Sequence, residues 1–228
     1  MASPIKPAEI LIPPTFGPGF CADNRREEFN IRNGVLLTHQ VPVDMLFIGD
    51  SITHFWPLDV YFHRFGRSVN RGIAGDLAQT ICRRFEGDAI QLHPRLCVLM
   101  MGINNTWELD APTSADAIYA LVTDNYRQVL EMAKAHRLPM LCGSVLPVAD
   151  RSEIGKKRNR LVCRFNEALQ TMCAAYNAVY VDYHTALVDE DGLSLRDGLS
   201  FDGLHPHVIG YDRMAEVLTP HLEKHLSV

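Results

Sequence analysis

The 228-residue chain has no long apolar segment, no paired-cysteine motif and no excess of basic residues. Its longest uncharged stretches, such as residues 96–107, are too short or too polar to cross a bilayer, so we expect no membrane span. The N-terminus lacks the basic and apolar regions of a signal peptide. With 22 Lys and Arg against 27 Asp and Glu, the net charge of −5 argues against a nucleic-acid partner.

The composition is that of an ordinary globular protein. At 47% apolar and 21% charged residues, the chain can bury a substantial core, which excludes disorder or low-complexity repeats as its main character. The densest basic stretch, residues 156–160, is short and predicts a solvated helix face rather than a binding surface.

The six cysteines are scattered and include no C-x-x-C pair. Cys97 and Cys142 lie within apolar runs, where a free thiol behaves as a small apolar side chain. Reduced thiols therefore fit better than a disulfide framework or a metal site, and they predict a cytoplasmic location. We expect no cofactor.

Proline is concentrated at the N-terminus, where five of the thirteen prolines fall within the first eighteen residues. Proline fixes φ and removes a hydrogen-bond donor, so residues 1–22 are predicted to form an extended arm. Residues 23–228 are predicted to form one domain. The arm packs on that domain, contacts a second subunit in a homo-oligomer, or is partly disordered, and the sequence leaves these alternatives open.

After the arm, short apolar runs alternate with segments of helical spacing. Strands are predicted at residues 45–48, 68–70, 96–101, 139–145 and 179–181. Helices are predicted at residues 25–37, with Asp23 or Asn24 as the cap, and at 114–135, 152–175 and 209–226. The alternation predicts an α/β fold, a three-layer αβα sandwich around a five-stranded parallel, doubly wound, flavodoxin-like sheet. In such a sheet, functional groups collect beyond the carboxyl ends of the strands.

Four short motifs lie at such positions, and each has an ordinary structural explanation when taken alone. Ser51 can simply cap a helix, Gly72-Ile73-Ala74-Gly75 can form a glycine turn, and Asn104-Asn105 can be turn formers. An isolated Asp-x-x-His, here Asp202 to His205, usually has no function. His205-Pro206-His207 also suggests a metal site, but no set of partner ligands stands at the required spacing.

Taken together and in this order, the motifs at Ser51, Gly75, Asn104 and His205 resemble the four blocks of the SGNH, or GDSL-type, serine hydrolase family. The resemblance covers residues 25–226. It is strongest to the platelet-activating-factor acetylhydrolase catalytic subunits and their bacterial carbohydrate-esterase relatives. Position 52 is Ile where the family's name has Leu, and position 105 is Asn where many members have Asp; both variants occur in this subgroup.

The resemblance implies a role for each motif. Ser51 is the expected nucleophile, His205 the base that activates it, and Asp202 the carboxylate that orients the imidazole. The expected oxyanion hole comprises the backbone N–H groups of Ser51 and Gly75 and the side-chain amide of Asn104.

Asp50 and Trp107 are the candidate residues on the substrate side. Asp50 precedes the nucleophile and is expected to brace the turn by hydrogen bonding rather than to titrate in the reaction. Trp107 follows the oxyanion asparagine, where its ring would limit acyl length, stack on a sugar, or pack on a helix.

The resemblance predicts a serine esterase that hydrolyses short acyl esters, with acetyl favoured, of a carbohydrate or another small alcohol through an acyl-enzyme. The expected partner is a small-molecule ester. A lysophospholipase or thioesterase with the same triad is an alternative, although no apolar insertion for a long acyl chain stands out. A non-catalytic scaffold or binding protein on the same fold, and a flavin-binding protein, are the remaining alternatives. Flavin binding does not explain the Asp-x-x-His motif.

Overall fold

The computed structural model describes residues 9–226 and has five parallel strands in one sheet. The strands are β1 (Met45–Gly49), β2 (Ser68–Gly72), β3 (Leu96–Met100), β4 (Met140–Gly143) and β5 (Val179–Val181). Their order is β2-β1-β3-β4-β5, and Met45 pairs with Ser68 on one side and Leu96 on the other. The predicted α/β fold with a five-stranded parallel, doubly wound sheet is confirmed.

Eight α-helices flank this sheet within the described part of the chain. They are α1 (Arg26–Thr38), α2 (Ser51–His54), α3 (Leu58–Phe62), α4 (Ala78–Asp88), α5 (Ala115–Ala135), α6 (Glu153–Tyr176), α7 (Tyr183–Leu187) and α8 (Val208–Leu226). The strand order reverses after β2, so right-handed crossovers place the β1–β2 connection on one face and the later connections on the other. Helix α8 shares the first face, where Tyr61 bonds to Asp212 and Arg64 pairs with Glu223.

Strands β1, β3 and β4 are buried on both faces, which explains their continuous apolar runs. Every residue of β1 and β3 is buried, and helices cover both sides of the sheet. The predicted strand ends differ from the observed ones by one or two residues. No helix within residues 9–226 has the length and apolar character needed to cross a bilayer. The cytoplasmic location stays a prediction.

The predicted cap of the first helix is wrong. Helix α1 begins at Arg26, and its N-cap Arg25 makes no side-chain capping bond. The Asp23 carboxylate instead accepts hydrogen bonds from the backbone N–H groups of Phe16 and Gly17 at 3.0–3.1 Å. A carboxylate can accept hydrogen bonds from backbone N–H groups in a loop as well as at a helix end, and Asp23 accepts them from the loop.

Within the described residues, the proline-rich arm packs on the domain. The Leu11 backbone N–H donates to the Gln91 side-chain oxygen, and the Gln91 amide donates back to the Leu11 carbonyl, both at 2.9 Å. Pro13 lies so close to Gly87 of α4 that a Cβ on that glycine would meet the proline ring at 2.6 Å. Residues 1–8, which hold Pro4 and Pro7, lie outside the described residues.

Helix α4 was missed by the sequence prediction because it buries charges. Arg84 and Asp88 face the core, where the Arg84 guanidinium donates to Asp88 at 3.1 Å and to Asp76 at 2.7 Å. Asp88 also accepts two hydrogen bonds from Arg26 of α1, at 2.5 and 2.8 Å. Burial alone would raise the pKa of Asp88, but the hydrogen bonds and charges of Arg26 and Arg84 hold it below its ordinary value.

The substitution Asp88→Ala should lower the free energy of unfolding by about 3–5 kcal/mol, because it leaves two arginines without their shared carboxylate in the core. Urea unfolding at pH 7 measures this. The matched control is Asp124→Ala, which removes an exposed partner of Arg127 at 2.6 Å and should cost less than about 1 kcal/mol. Equal effects of the two substitutions would contradict the importance given to the buried network.

Candidate active site

The sequence-predicted site residues lie at the carboxyl edge of the sheet. Ser51 begins α2 directly after β1, and Gly75 lies in the loop after β2. Asn104 begins a 3₁₀ helix, Asn104–Asp110, that follows β3. Asp202 and His205 lie in the loop that leads into α8. Residues distant in sequence therefore meet at one edge, as the parallel sheet predicts.

Ser51, His205 and Asp202 form a continuous hydrogen-bonded chain. The distance between Ser51 Oγ and His205 Nε2 is 2.9 Å, and that between His205 Nδ1 and Asp202 Oδ2 is 2.6 Å. Both imidazole nitrogens are thus engaged. With Nδ1–H donating to the carboxylate, Nε2 is the free base that faces the serine hydroxyl.

Asp202 is held as an anion by the loop around it. Its Oδ1 accepts backbone N–H bonds from Leu204 at 2.9 Å and His205 at 2.8 Å, and the Ser200 hydroxyl at 2.9 Å. Burial works against the charged form, but the hydrogen bonds from the His205 ring and these backbone groups prevail, and the pKa of Asp202 lies well below its usual range. Asp202 therefore remains ionised wherever the protein is folded at ordinary pH.

Ser51 is not the helix cap. The N-cap of α2 is Asp50, whose Oδ1 accepts the backbone N–H of Ile52 at 3.0 Å. This leaves the Ser51 hydroxyl for His205. The turn itself requires glycine at position 49, because a Cβ there would lie 2.4 Å from the Met100 carbonyl oxygen and from Thr53 Oγ1.

Asp50 lies beneath the serine rather than in the open part of the site. It is only 2% exposed, and burial raises its pKa to about 7. Its hydrogen bond to Ile52 supports the bracing role.

Gly75 and Asn104 are joined through the backbone of one loop. Gly75 has φ of +79°, a conformation that favours glycine, and the Asn104 amide donates to the carbonyl of the next residue, Asp76, at 2.9 Å. A side-chain amide has two hydrogens, so this bond leaves one for the cleft. This bond fixes the Asn104 side chain against the loop that carries Gly75.

The neighbouring Asn105 faces the other way. It is fully buried, its Oδ1 accepts the Ala78 backbone N–H at 3.0 Å, and its amide donates to Gln79 at 2.9 Å. These bonds satisfy groups at the start of α4. The two adjacent asparagines thus have different positions, one at the cleft and one in the structural core.

His54 and Phe55 belong to the site and were given no role by the sequence. His54 Nδ1 accepts the Ala74 backbone N–H at 3.2 Å, which ties α2 to the glycine loop. Burial lowers the pKa of His54, and the nearby Arg25 charge adds to the effect, so the ring stays a neutral acceptor. Phe55 stacks on His54 with ring centroids 4.9 Å apart and presents its edge to His205 at 5.6 Å.

The two histidines that suggested a metal site are not arranged as a ligand pair. His205 is bonded at both nitrogens, while His207 Nδ1 accepts the Ile209 N–H at 3.2 Å and its ring lies against Phe201. Among residues 9–226, no three His, Cys, Asp or Glu side chains are grouped to hold a metal ion.

Trp107 lies on the 3₁₀ helix three residues after Asn104 and is 40% exposed. The guanidinium of Arg158 from α6 lies 3.8 Å from the centre of its ring. Arg158 is 1% exposed, so the prediction of a solvated face for residues 156–160 is wrong at this position.

The fold and site define a carboxylic ester hydrolase. The family model for the GDSL-like lipase/acylhydrolase family matches residues 47–213 of the chain. The chain belongs to this family.

The chain is similar to several members whose activity or structure is known. An acetylxylan esterase of Geobacillus stearothermophilus is 25% identical over 148 residues, which are 64% of this chain and 67% of the relative. A crystal structure of a GDSL-like lipase from Bacteroides thetaiotaomicron is 26% identical, covers 87% of this chain and 97% of its own, and has a TM-score of 0.71. A structure of an acetylxylan esterase mutant from G. stearothermophilus has 20% identity and a TM-score of 0.65, covers 80% of this chain and 95% of its own, and matches in fold.

Asp50→Asn should change how stability depends on pH. Because burial raises the pKa of Asp50 to about 7 in the folded protein, the folded state binds more protons than the unfolded state from about pH 4 to 7. The contribution of Asp50 to wild-type stability therefore falls as pH rises through this interval. Between pH 4 and pH 8, the free energy of unfolding of Asp50→Asn should therefore rise by roughly 2–4 kcal/mol relative to that of wild type, measured by urea unfolding.

The control for this experiment is Asp59→Asn, the same substitution at an exposed position of α3. It should leave the pH dependence of the unfolding free energy as in wild type. A pH profile of Asp50→Asn parallel to wild type would show that folding does not raise the pKa of Asp50.

Proposed function

We propose that the protein is a serine esterase that removes short acyl groups, with acetyl preferred, from a carbohydrate or another small alcohol. The observation that carries the proposal is the hydrogen-bonded chain from Ser51 through His205 to Asp202, with distances of 2.9 and 2.6 Å. It places a serine hydroxyl, a base and an ionised carboxylate in the order that nucleophilic acyl transfer requires.

In the proposed reaction, His205 Nε2 accepts the Ser51 proton as Oγ attacks the acyl carbonyl carbon. The tetrahedral intermediate collapses to an acyl-enzyme, and the imidazolium returns its proton to the leaving alcohol. Water then attacks the acyl group with the same histidine as base and releases the acid. Asp202 stays ionised throughout, orients the ring and stabilises the imidazolium.

Three donors are proposed to stabilise the negative oxygen of the intermediate. The Ser51 N–H lies in the first turn of α2, where backbone N–H groups have no acceptor within the helix. The positive φ of Gly75 and the bond from Asn104 to the adjoining carbonyl support the other two donors. Because these groups are fixed before substrate binds, they need little reorganisation during the reaction.

A sugar acetate is the preferred substrate class because two observations favour it. Trp107 offers a partly exposed aromatic surface three residues from Asn104, and planar aromatic faces suit the apolar face of a pyranose ring. The similarity to an acetylxylan esterase points to the same class. Asp50 is proposed to support the nucleophile from below rather than to touch the substrate.

A lysophospholipase or thioesterase with the same three residues is the second candidate. Phe55 and Phe201 are 53% and 93% exposed, and each belongs to the segments that carry Ser51 or Asp202. Exposed apolar side chains beside the site would favour a longer acyl chain.

Hydrolysis of p-nitrophenyl esters from acetyl to palmitoyl, together with acetylated xylo-oligosaccharides, separates these candidates. We expect turnover to be highest with acetyl and to fall steeply as the acyl chain lengthens. Ser51→Ala should lower kcat by about 10⁴-fold or more at unchanged stability, since it removes only the nucleophilic hydroxyl. Highest turnover with palmitoyl would favour the second candidate, and wild-type turnover of Ser51→Ala would overturn the serine mechanism.

The pair Asn104→Ala and Asn105→Ala tests the oxyanion hole. Asn104→Ala should lower kcat by about 10²–10³-fold and leave KM nearly unchanged, because its amide acts on an oxygen that is charged only in the transition state. Asn105→Ala should instead lower the free energy of unfolding by about 1–3 kcal/mol, because it leaves the buried Ala78 N–H without an acceptor.

Steady-state kinetics with p-nitrophenyl acetate and urea unfolding distinguish the two effects. Small changes of kcat in both variants would show that Asn104 is not part of the oxyanion hole. A larger loss of kcat in Asn105→Ala would mean that the supporting contacts of α4 matter more for catalysis than the amide at the cleft.

A further inference from the structure

Arg158 is a buried cation whose guanidinium is short of hydrogen-bond partners. Its Nη2 donates to Asp110 at 2.9 Å, its Nη1 lies 3.9 Å from Asp150, and its buried Nε has no partner. The two carboxylates are 54% and 43% exposed, whereas the arginine side chain is 1% exposed. A guanidinium offers five N–H donors, and few of them are hydrogen-bonded here. The face of the Trp107 ring, whose centre lies 3.8 Å from the guanidinium carbon, therefore forms much of its surroundings.

The stack of Arg158 on Trp107 covers only one part of the indole. Trp107 remains 40% exposed, because the rest of the ring is open to solvent. In a 3₁₀ helix, side chains three residues apart lie on the same face, so Trp107 projects on the side of Asn104. The partly exposed indole and the Asn104 side chain therefore lie on the same face of this short helix.

The other end of this contact is linked to the histidine loop. Asp150 follows Ala149, whose backbone N–H donates to the Gly203 carbonyl at 2.8 Å, and Gly203 lies between Asp202 and His205. Arg158 thus lies between the Asn104–Asp110 helix on one side and the loop that contacts the histidine segment on the other.

We propose that Arg158 is a positioning residue that fixes the Trp107 indole as a platform for the pyranose ring of an acetylated sugar. The inference rests on the proposed function and adds the residue that orients its sugar-binding surface. An aromatic ring that is already held in place loses less conformational freedom when a sugar stacks on it, so the contribution appears in substrate binding. The acyl chemistry at Ser51 needs no contact with Arg158.

Arg158→Met keeps most of the side-chain volume and removes the guanidinium. We expect KM for acetylated xylo-oligosaccharides to rise about tenfold, which is the size of effect expected for the loss of a desolvated cation–π contact. We expect kcat for p-nitrophenyl acetate to stay within about twofold of wild type. Arg158→Lys keeps the charge but not the planar group and should recover part of the loss.

Acrylamide quenching of tryptophan fluorescence reports the indole directly, without substrate. The chain has two tryptophans, and Trp56 is 2% exposed, so the quenchable signal belongs to Trp107 and should vanish in Trp107→Phe. We expect quenching to increase in Arg158→Met because the ring is no longer held. Unchanged quenching would overturn the proposal even if the enzyme hydrolysed no sugar ester.

The matched control is Arg164→Met on the same helix. Arg164 lies 4.6 Å from the Tyr119 ring and pairs with Asp116 at 2.8 Å, but it is 44% exposed. It should change neither KM nor quenching. The proposal fails if Arg164→Met matches Arg158→Met, if KM for the sugar ester stays within twofold, or if p-nitrophenyl acetate turnover falls equally.

If Arg158→Met does not fold, a double-mutant cycle of Arg158→Lys with Trp107→Ala replaces it. Because the proposal routes the whole effect of Arg158 through Trp107, Arg158→Lys should change KM for the sugar ester in the wild-type background and not in Trp107→Ala. Equal changes in both backgrounds would overturn it. A failure of the proposed function would give a different result. Either the wild-type protein would hydrolyse no ester, or Ser51→Ala would keep its activity.

Discussion

Arg84 is fully buried, and its three hydrogen-bonded partners belong to segments that must meet for the site to exist. It donates to the carboxylates of Asp76 and Asp88 and, at 3.1 Å, to the carbonyl of Gly49 at the end of β1. A charge in the core is tolerated only when its partners are all in place. The turn before Ser51 and the loop of Gly75 are therefore fixed together by one cation, and Arg26 extends the network to α1.

The protonation of each carboxylate at this edge of the sheet is determined by the groups that surround it. Asp88 is held in the ionised form by Arg26 and Arg84, and Asp202 by the His205 ring and the backbone N–H groups of an exposed loop. Asp50 is held only by backbone N–H groups in the core, so burial raises its pKa to about 7. Below this pKa, a protonated Asp50 places no full negative charge next to Ser51, while the ionised Asp202 lies beside the His205 ring.

The elements predicted correctly from the sequence share one property, which is that their pattern depends on backbone topology alone. Parallel strands read as continuous apolar runs, and their carboxyl ends meet, so the sheet and the location of Ser51, Asn104 and His205 could be predicted. Helix α4 was missed because Arg84 and Asp88 interrupt its apolar stripe by pairing in the core. Arg158 was wrongly predicted to be solvated for the same reason. The sequence alone does not distinguish a buried cation from a solvated one, because its partners are distant in the chain.

The same distinction explains why the chemistry of this site is easier to infer than its substrate. The hydroxyl, imidazole and amide groups are oriented by contacts within the chain, at Asp202, Asp76 and the turn of Asp50. The side chains proposed to face a substrate, such as Trp107 and Phe55, are 40% and 53% exposed. Only their inner faces are specified by the fold, through Arg158 and His54. The proposed substrate selection therefore depends on residues that hold these side chains in place, and one of them, Arg158, lies far in sequence from the motif around Ser51.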